Sequence, residues 1–131
     1  MFCIERSRAM TVREAYGKLC GNYEDVSYRI NEKMLLRLIG MLLKDQNYRD
    51  ICEALDKSDY ETAFRGAHTL KGVALNLSLT SLAEKAGRLT ETLRSRQDNG
   101  SIKPAFEEFE QAYQDMQAVF LQLLASSGGD A

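Results

Sequence analysis

Hydrophobic residues recur at helical spacing along most of the chain, which predicts amphipathic helices. Three stretches alternate apolar positions by three and four residues, the spacing typical of packed helix bundles. They comprise Tyr60, Ala63, Ala67, Leu70, Ala74 and Leu77; Leu79, Leu82, Ala86, Leu89 and Leu93; and Phe106, Phe109, Tyr113, Met116, Phe120 and Leu123. A fourth helix is predicted over residues 31–44, with apolar positions that cover more than one face. We expect an all-α fold, an antiparallel up-and-down four-helix bundle with an extra short N-terminal helix.

Capping residues and turn signals set the expected helix ends. Ser58, followed three residues later by Glu61, has the pattern of a capping box, which satisfies the free N–H groups of a first helical turn. Pro104 suits the first turn of the last helix, where its missing N–H does no harm. The other starts are predicted at Thr11, Asn31, Asp45 or Asn47, and Ser78 or Thr80. Residues 22–31 are expected to form a turn or a short helical piece.

The length of 131 residues and a hydrophobic content of 44% indicate one globular domain. We predict a flexible N-terminal extension over residues 1–10, a single helical domain over 11–125 and a frayed tail over 126–131. Met10 is an alternative start of the protein.

Charge and cysteine usage exclude several classes of function. A net charge of −2 argues against a nucleic-acid-binding protein, and no apolar run approaches the roughly 20 residues of a membrane helix. Cys3, Cys20 and Cys52 include no CxxC pair, so a zinc or redox site is not expected, and free thiols suit a reducing cytoplasm. Residues 58–97 carry an excess of basic side chains, which are either solvated helix faces or a surface that favours acidic partners.

The single histidine, His68, is followed by Lys71 and Gly72 on the same helix. A glycine in a helix interior costs about 1 kcal/mol relative to alanine. Because helical side chains lean toward the N-terminus, a side chain at position 72 would cover His68, whereas glycine leaves the imidazole open. Two other interpretations are a structural histidine and a glycine that only allows close packing.

Most chemistries of an exposed histidine lack the partners that they need here. One histidine cannot build the usual zinc site, no nucleophile is paired with His68, and no glycine-rich ATP loop is present. Nucleophilic chemistry of the imidazole remains. A phosphoryl group is the natural cargo, with the Lys71 ammonium as a charge partner for its oxygens.

The stretch AHTLKGVALNLSLTSLAEKAGRL resembles the histidine phosphotransfer (HPt) domains of two-component phosphorelays. The family pattern is roughly His-x-Leu-Lys-Gly-x-(small)-x-x-(aliphatic)-Gly. Its strong match covers about residues 59–93, and it is carried by His68, Leu70, Lys71, Gly72, Ala74, Asn76 and Leu77. Ser78 stands where family members often have glycine, and we expect the turn to survive this departure.

The resemblance implies a free-standing phosphocarrier, not an enzyme, that exchanges a phosphoryl group with the aspartate of response-regulator receiver domains. His68 would be the nucleophile and carrier, Lys71 the charge partner, and Gly72 the source of clearance. A patch for partner docking is predicted at Phe64, Arg65, Leu75, Leu35 and Leu38. The chain would need no cofactor, since Mg²⁺ belongs to the receiver. The resemblance also allows a hybrid sensor histidine kinase as a partner. A monomer is expected.

Two other classes stay open at this point. The first is a helical adaptor that binds receiver domains or other signalling partners without carrying phosphate. The second is an enzyme that uses the bundle as a scaffold, although no second catalytic group near His68 supports it.

Overall fold

A computed structural model describes residues 9–126, and this part of the chain is all-helical, with seven helices and no strand. The helices are α1 Val12–Lys18, α2 Tyr23–Arg29, α3 Glu32–Leu43, α4 Asn47–Asp56, α5 Tyr60–Asn76, α6 Thr80–Leu93 and α7 Ile102–Ser126.

Side-chain caps fix several helix starts as the sequence predicts. The Thr11 hydroxyl accepts a hydrogen bond from the Glu14 backbone N–H at 3.0 Å, and the Glu14 carboxylate accepts one from the Thr11 N–H at 2.9 Å. This reciprocal pair is a capping box at the start of α1. The Asn31 side chain accepts from the Met34 N–H at 2.8 Å and caps α3. Pro104 lies in the first turn of α7.

The predicted cap at Ser58 is wrong, because Asp59 takes that position. The Asp59 carboxylate accepts from the Thr62 N–H at 3.2 Å. Ser58 instead has a φ of 56°, in the left-handed region, and reverses the chain between α4 and α5. The Asp59 N–H closes the preceding helix by donating to the Ala54 carbonyl at 2.8 Å.

The apolar stripes predicted from the sequence form the core. α5 packs against α4 and α6, and α7 packs against α6, α3 and α1. Every member of the three stripes is buried except Tyr60 and Phe106, which are half-buried. Half of the α5 stripe is alanine, and these small side chains bring the neighbouring helices close to the helix that carries His68.

The N-terminal helices are fastened to the end of α5. Tyr16 on α1 is fully buried, and its hydroxyl donates to the Leu77 carbonyl at 2.7 Å. Its ring contacts Phe120 of α7 and Tyr23 of α2, with centroids 6.0 and 6.3 Å away. Burial raises the pKa of the Tyr16 hydroxyl above its usual range, with a smaller opposing effect of Arg29.

The turn between α5 and α6 survives the departure at Ser78. Ser78 has a φ of 54°, the left-handed conformation that glycine adopts most easily. Its hydroxyl donates to the Asp25 carboxylate of α2. The Arg29 guanidinium donates to the Ser78 hydroxyl at 2.8 Å and to the Asn76 carbonyl at 2.9 Å. This α2 clamp, formed by Asp25 and Arg29, holds the C-terminal end of α5.

The predicted extension and tail lie mainly outside the described residues, which exclude 1–8 and 127–131. Met10 is buried against the core with 9% of its surface exposed, and Ser126 is the last residue of α7. Among the described helices, none has the length and apolar character needed to cross a membrane.

Candidate functional site

His68 lies exposed in the middle of α5, beside the buried stripe. Its imidazole is parallel to the Phe64 ring one turn earlier, with an interplanar angle of 5° and centroids 6.2 Å apart. Within residues 9–126 the imidazole has no hydrogen-bond or ion-pair partner. The ring nitrogens are therefore available to an incoming group.

Gly72 is open, and no packing contact explains it. A Cβ atom at this position would meet nothing within 4 Å. Gly66 on the same helix is different, because a Cβ there would lie 2.7 Å from Cγ1 of Ile51. Close packing thus accounts for Gly66, whereas Gly72 leaves an uncovered surface one turn beyond His68.

Lys71 places its positive charge along α6. Its side chain is half-buried and passes over Gly87, where a Cβ atom would lie 3.5 Å from Cε and 3.9 Å from Nζ of Lys71. The pKa of Glu91 is lowered by hydrogen bonds from Arg94, and the charge of Lys71 adds to this effect. In the part of the chain that the structure describes, the ammonium has no ion-pair partner, which leaves it available to an anion.

The predicted docking residues divide into two groups. Phe64, Arg65 and Leu75 lie within about 100° of one another around α5, on the same side as His68. Arg65 and Leu75 are exposed, with 58% of the Leu75 surface accessible, and Phe64 is half-buried. This group shares one surface with the histidine.

The prediction for Leu35 on α3 is wrong, since only 1% of its surface is exposed and it belongs to the core. Leu38 is half-buried and packs against the core. The apolar side chains that α3 does expose are Met34 and Met41, at 41% and 62%. Because α3 is apolar on more than one face, its periodicity did not show which leucines face inward.

Two arginines that follow α6 reach the site and were not singled out from the sequence. The Arg96 guanidinium carbon lies 3.9 Å from the centroid of the Phe64 ring, and that of Arg94 lies 5.5 Å from it. Arg96 Nε donates to Glu61 at 2.7 Å, and Arg65 Nε donates to the other oxygen of that carboxylate at 2.9 Å. The hydrogen bond from Arg96 is the largest cause that lowers the pKa of Glu61. A contact between residues about 30 positions apart leaves no periodic signal in the sequence.

Metal ligands do not gather in the described part of the chain. No group of three or more His, Cys, Asp or Glu residues there is placed to hold a metal ion. Cys20 and Cys52 are free thiols.

A model of the Hpt domain family matches residues 45–120. The chain belongs to the Hpt domain family. The matched range includes α4, α5 and α6 in full and most of α7, so it contains His68, Lys71 and Gly72. Comparison with curated proteins and with solved structures gives no significant match. Hpt domains are phosphocarrier modules of two-component phosphorelays, and they interact with receiver domains and kinases.

Proposed function

We propose that this Hpt domain accepts a phosphoryl group on His68 from the aspartyl phosphate of a receiver domain and donates it to another. The observation that carries this proposal is the uncovered imidazole beside Gly72, a glycine that no packing contact within residues 9–126 requires. A purely structural histidine would not need this open surface. The histidine, the glycine and the cation of Lys71 together fit a bulky anion.

The chemistry needs only one nitrogen of the neutral imidazole. Its lone pair attacks phosphorus, and an N–P bond forms as the bond from phosphorus to the aspartate oxygen breaks. The carboxylate leaves with that electron pair. The other imidazole nitrogen keeps its proton, so the ring carries the positive charge in the phosphorylated product. The reverse step returns the group to an aspartate.

Each neighbour of His68 has a distinct part in this proposal. Lys71 neutralises charge on the phosphoryl oxygens. Gly72 gives the receiver clearance to approach in line. The receiver supplies the acidic pocket and the Mg²⁺ that this chemistry uses, and the carrier itself needs no cofactor or ATP site.

Partner docking is proposed for the α5 surface around the histidine. Leu75 and Phe64 supply apolar area there, and Arg65 supplies charge for an acidic partner. Receiver domains are the expected partners, and a hybrid sensor histidine kinase can provide such a receiver domain. Docking to a receiver must be transient, which favours a monomer. The proposed form is therefore a monomer, free-standing and in the cytoplasm. Size-exclusion chromatography with light scattering can check the oligomeric state.

The arrangement of the bundle is part of the same proposal. α5, α6 and α7 with the α3–α4 pair form the four antiparallel elements, and α1 and α2 are additional. The short connections at residues 57–59 and 77–79 support the up-and-down order.

The test is phosphorylation of the purified protein by phosphoramidate and by phosphorylated receiver domains. We expect intact mass to show one added phosphoryl group that acid removes, and none in His68→Gln. Circular dichroism should show that the variant keeps its helices. If neither donor labels the folded wild type, the carrier function is wrong, and receiver binding unchanged by His68→Gln would then identify an adaptor.

A further inference from the structure

We propose that Arg96 is a positioning residue for phosphoryl transfer at His68 and that it acts through Phe64. This inference rests on the proposed function. It assigns a role to a side chain that touches neither the imidazole nor the incoming phosphoryl group.

A continuous row of contacts links Arg96 to the histidine. The Glu61 carboxylate holds the Arg96 guanidinium through a hydrogen bond of 2.7 Å. That guanidinium lies 3.9 Å from the centroid of the Phe64 ring, within the range of a cation–π contact. Phe64 in turn is parallel to the imidazole of His68. Glu61, Phe64 and His68 all lie on α5, whereas Arg96 comes from the loop after α6 and braces the row from outside.

The row closes one side of the imidazole and leaves the other open. Phe64 precedes His68 by one turn, the direction in which helical side chains lean, so its ring limits where the imidazole can rest. Gly72 follows His68 by one turn and leaves that side clear. An exposed histidine without hydrogen bonds in the described chain would otherwise sample several rotamers. A braced Phe64 therefore favours one orientation of the nucleophile, and orientation is a major source of rate in transfer reactions.

The backbone of Arg96 provides a useful variant. Arg96 has a φ of 59°, where glycine fits more easily than a residue with a side chain, and its N–H donates to the Leu93 carbonyl at 2.9 Å. Arg96→Gly removes the guanidinium while keeping a residue that suits this turn. The variant thus removes the brace at a backbone position that glycine tolerates, together with the hydrogen bond of 2.7 Å from the guanidinium to the Arg94 carbonyl in the same loop.

Arg94 is the matched control. It carries the same charge in the same loop, but its guanidinium carbon lies 5.5 Å from the Phe64 centroid and its nitrogens pair with Glu91 at 2.8 and 3.1 Å. Arg94→Ala removes a positive charge near the site, together with the more distant of the two guanidinium contacts with Phe64, and it leaves the Arg96 brace in place.

The kinetic experiment measures the rate of His68 phosphorylation by phosphoramidate, a small donor that contacts no partner-docking surface. We expect Arg96→Gly and Phe64→Leu each to slow the reaction about two- to fivefold, the size of an exposed cation–π contact. Arg96→Lys, which keeps a cation over the ring, should restore part of the rate. Arg94→Ala should slow the reaction less than Arg96→Gly does, because the Arg94 guanidinium is the more distant of the two from the Phe64 ring. The Arg96→Gly/Phe64→Leu double variant should be no slower than Phe64→Leu alone, because both changes remove the same support.

A spectroscopic readout reports on the ring itself. Since His68 is the only histidine, its imidazole signals and its χ1 scalar couplings in NMR spectra are unambiguous. Arg96→Gly should move these couplings toward rotamer averaging, and Arg94→Ala should move them less.

The outcomes separate this inference from the proposed function. A wild-type rate and unchanged couplings in Arg96→Gly would overturn the positioning role while the carrier function stands. An equal loss of rate in Arg94→Ala would also overturn it, because general charge would then explain the effect. A wild type that takes no label would overturn the carrier function, and the couplings alone would still decide whether Arg96 orients His68.

Discussion

Two glycines of α5 differ in what surrounds them, and this difference can be measured. Gly72 faces open space, so Gly72→Ala should raise the free energy of unfolding by about 0.5–1 kcal/mol, the helix-propensity difference. Gly66 lies against Ile51, with only 2.7 Å between Cγ1 and an added Cβ, so Gly66→Ala should lower it by about 1–3 kcal/mol through overpacking.

Urea unfolding of both variants beside the wild type checks this pair. A Gly72→Ala protein that is less stable than the wild type would mean that the glycine serves the fold, and the clearance argument would lose its basis.

At the level of single residues, local geometry was predictable from the sequence and long-range contacts were not. The open face of His68 followed from helix geometry alone, because Gly72 is one turn away. The inward direction of Leu35 did not follow, since α3 is apolar on more than one face. The brace of Arg96 on Phe64 depends on how a loop returns over α5, and no spacing along the chain encodes it.

The junction between α4 and α5 shows which residue starts the histidine helix. Asp59 caps α5, and its hydrogen bonds with Thr62 lower the pKa of its carboxyl group. Asp59→Ala should therefore reduce the urea midpoint. Ser58→Gly should raise it slightly, because glycine suits a φ of 56° and no hydrogen bond of the described structure uses the Ser58 hydroxyl.

The two variants distinguish the caps. If Ser58 were the cap, Ser58→Gly would lower the midpoint by a small amount and Asp59→Ala would leave it nearly unchanged. The sequence could not choose between adjacent serine and aspartate, since both are good caps. In the structure, the Asp59 N–H donates to the Ala54 carbonyl and ends α4. Asp59 is therefore the residue that caps α5.

At the scale of the whole molecule, hydrogen bonds attach the N-terminal helices to the end of α5 and the turn after it, and one of these contacts depends on pH. The pKa of Asp25 is lowered first by the hydrogen bond from Ser78 and then by that from Arg29. A carboxyl group with a lowered folded pKa stabilises the protein fully above its unfolded pKa of about 4. This contribution is lost as the pH falls through the lower folded pKa.

Unfolding measured in urea between pH 7 and pH 2 tests the clamp. Wild-type stability should decline more steeply below about pH 4 than that of Asp25→Asn, which has no carboxylate to protonate. Parallel pH profiles for the two proteins would show that Asp25 adds no acid-sensitive stability.

At this largest scale the sequence predicted the layers but not the attachment of α1 and α2. Three stripes with spacings of three and four placed most core side chains of α5, α6 and α7 correctly, and they missed Ala83, Ile102 and Ala105. The N-terminal helices are short and have no such stripe. Their position depends on Tyr16 reaching the Leu77 carbonyl and on Arg29 reaching the turn, contacts that span 61 and 47 residues.

The two glycines also bear on what happens when α5 is taken out of the bundle. A helix of 17 residues is marginal in water even with favourable residues, and two interior glycines weaken it further. A synthetic peptide of residues 60–76 should therefore give a random-coil spectrum in circular dichroism. Its imidazole would remain a nucleophile, but the neighbours that orient it would be dispersed. The reactive geometry is thus a property that α5 acquires from the surrounding helices, and it vanishes on unfolding although the histidine does not.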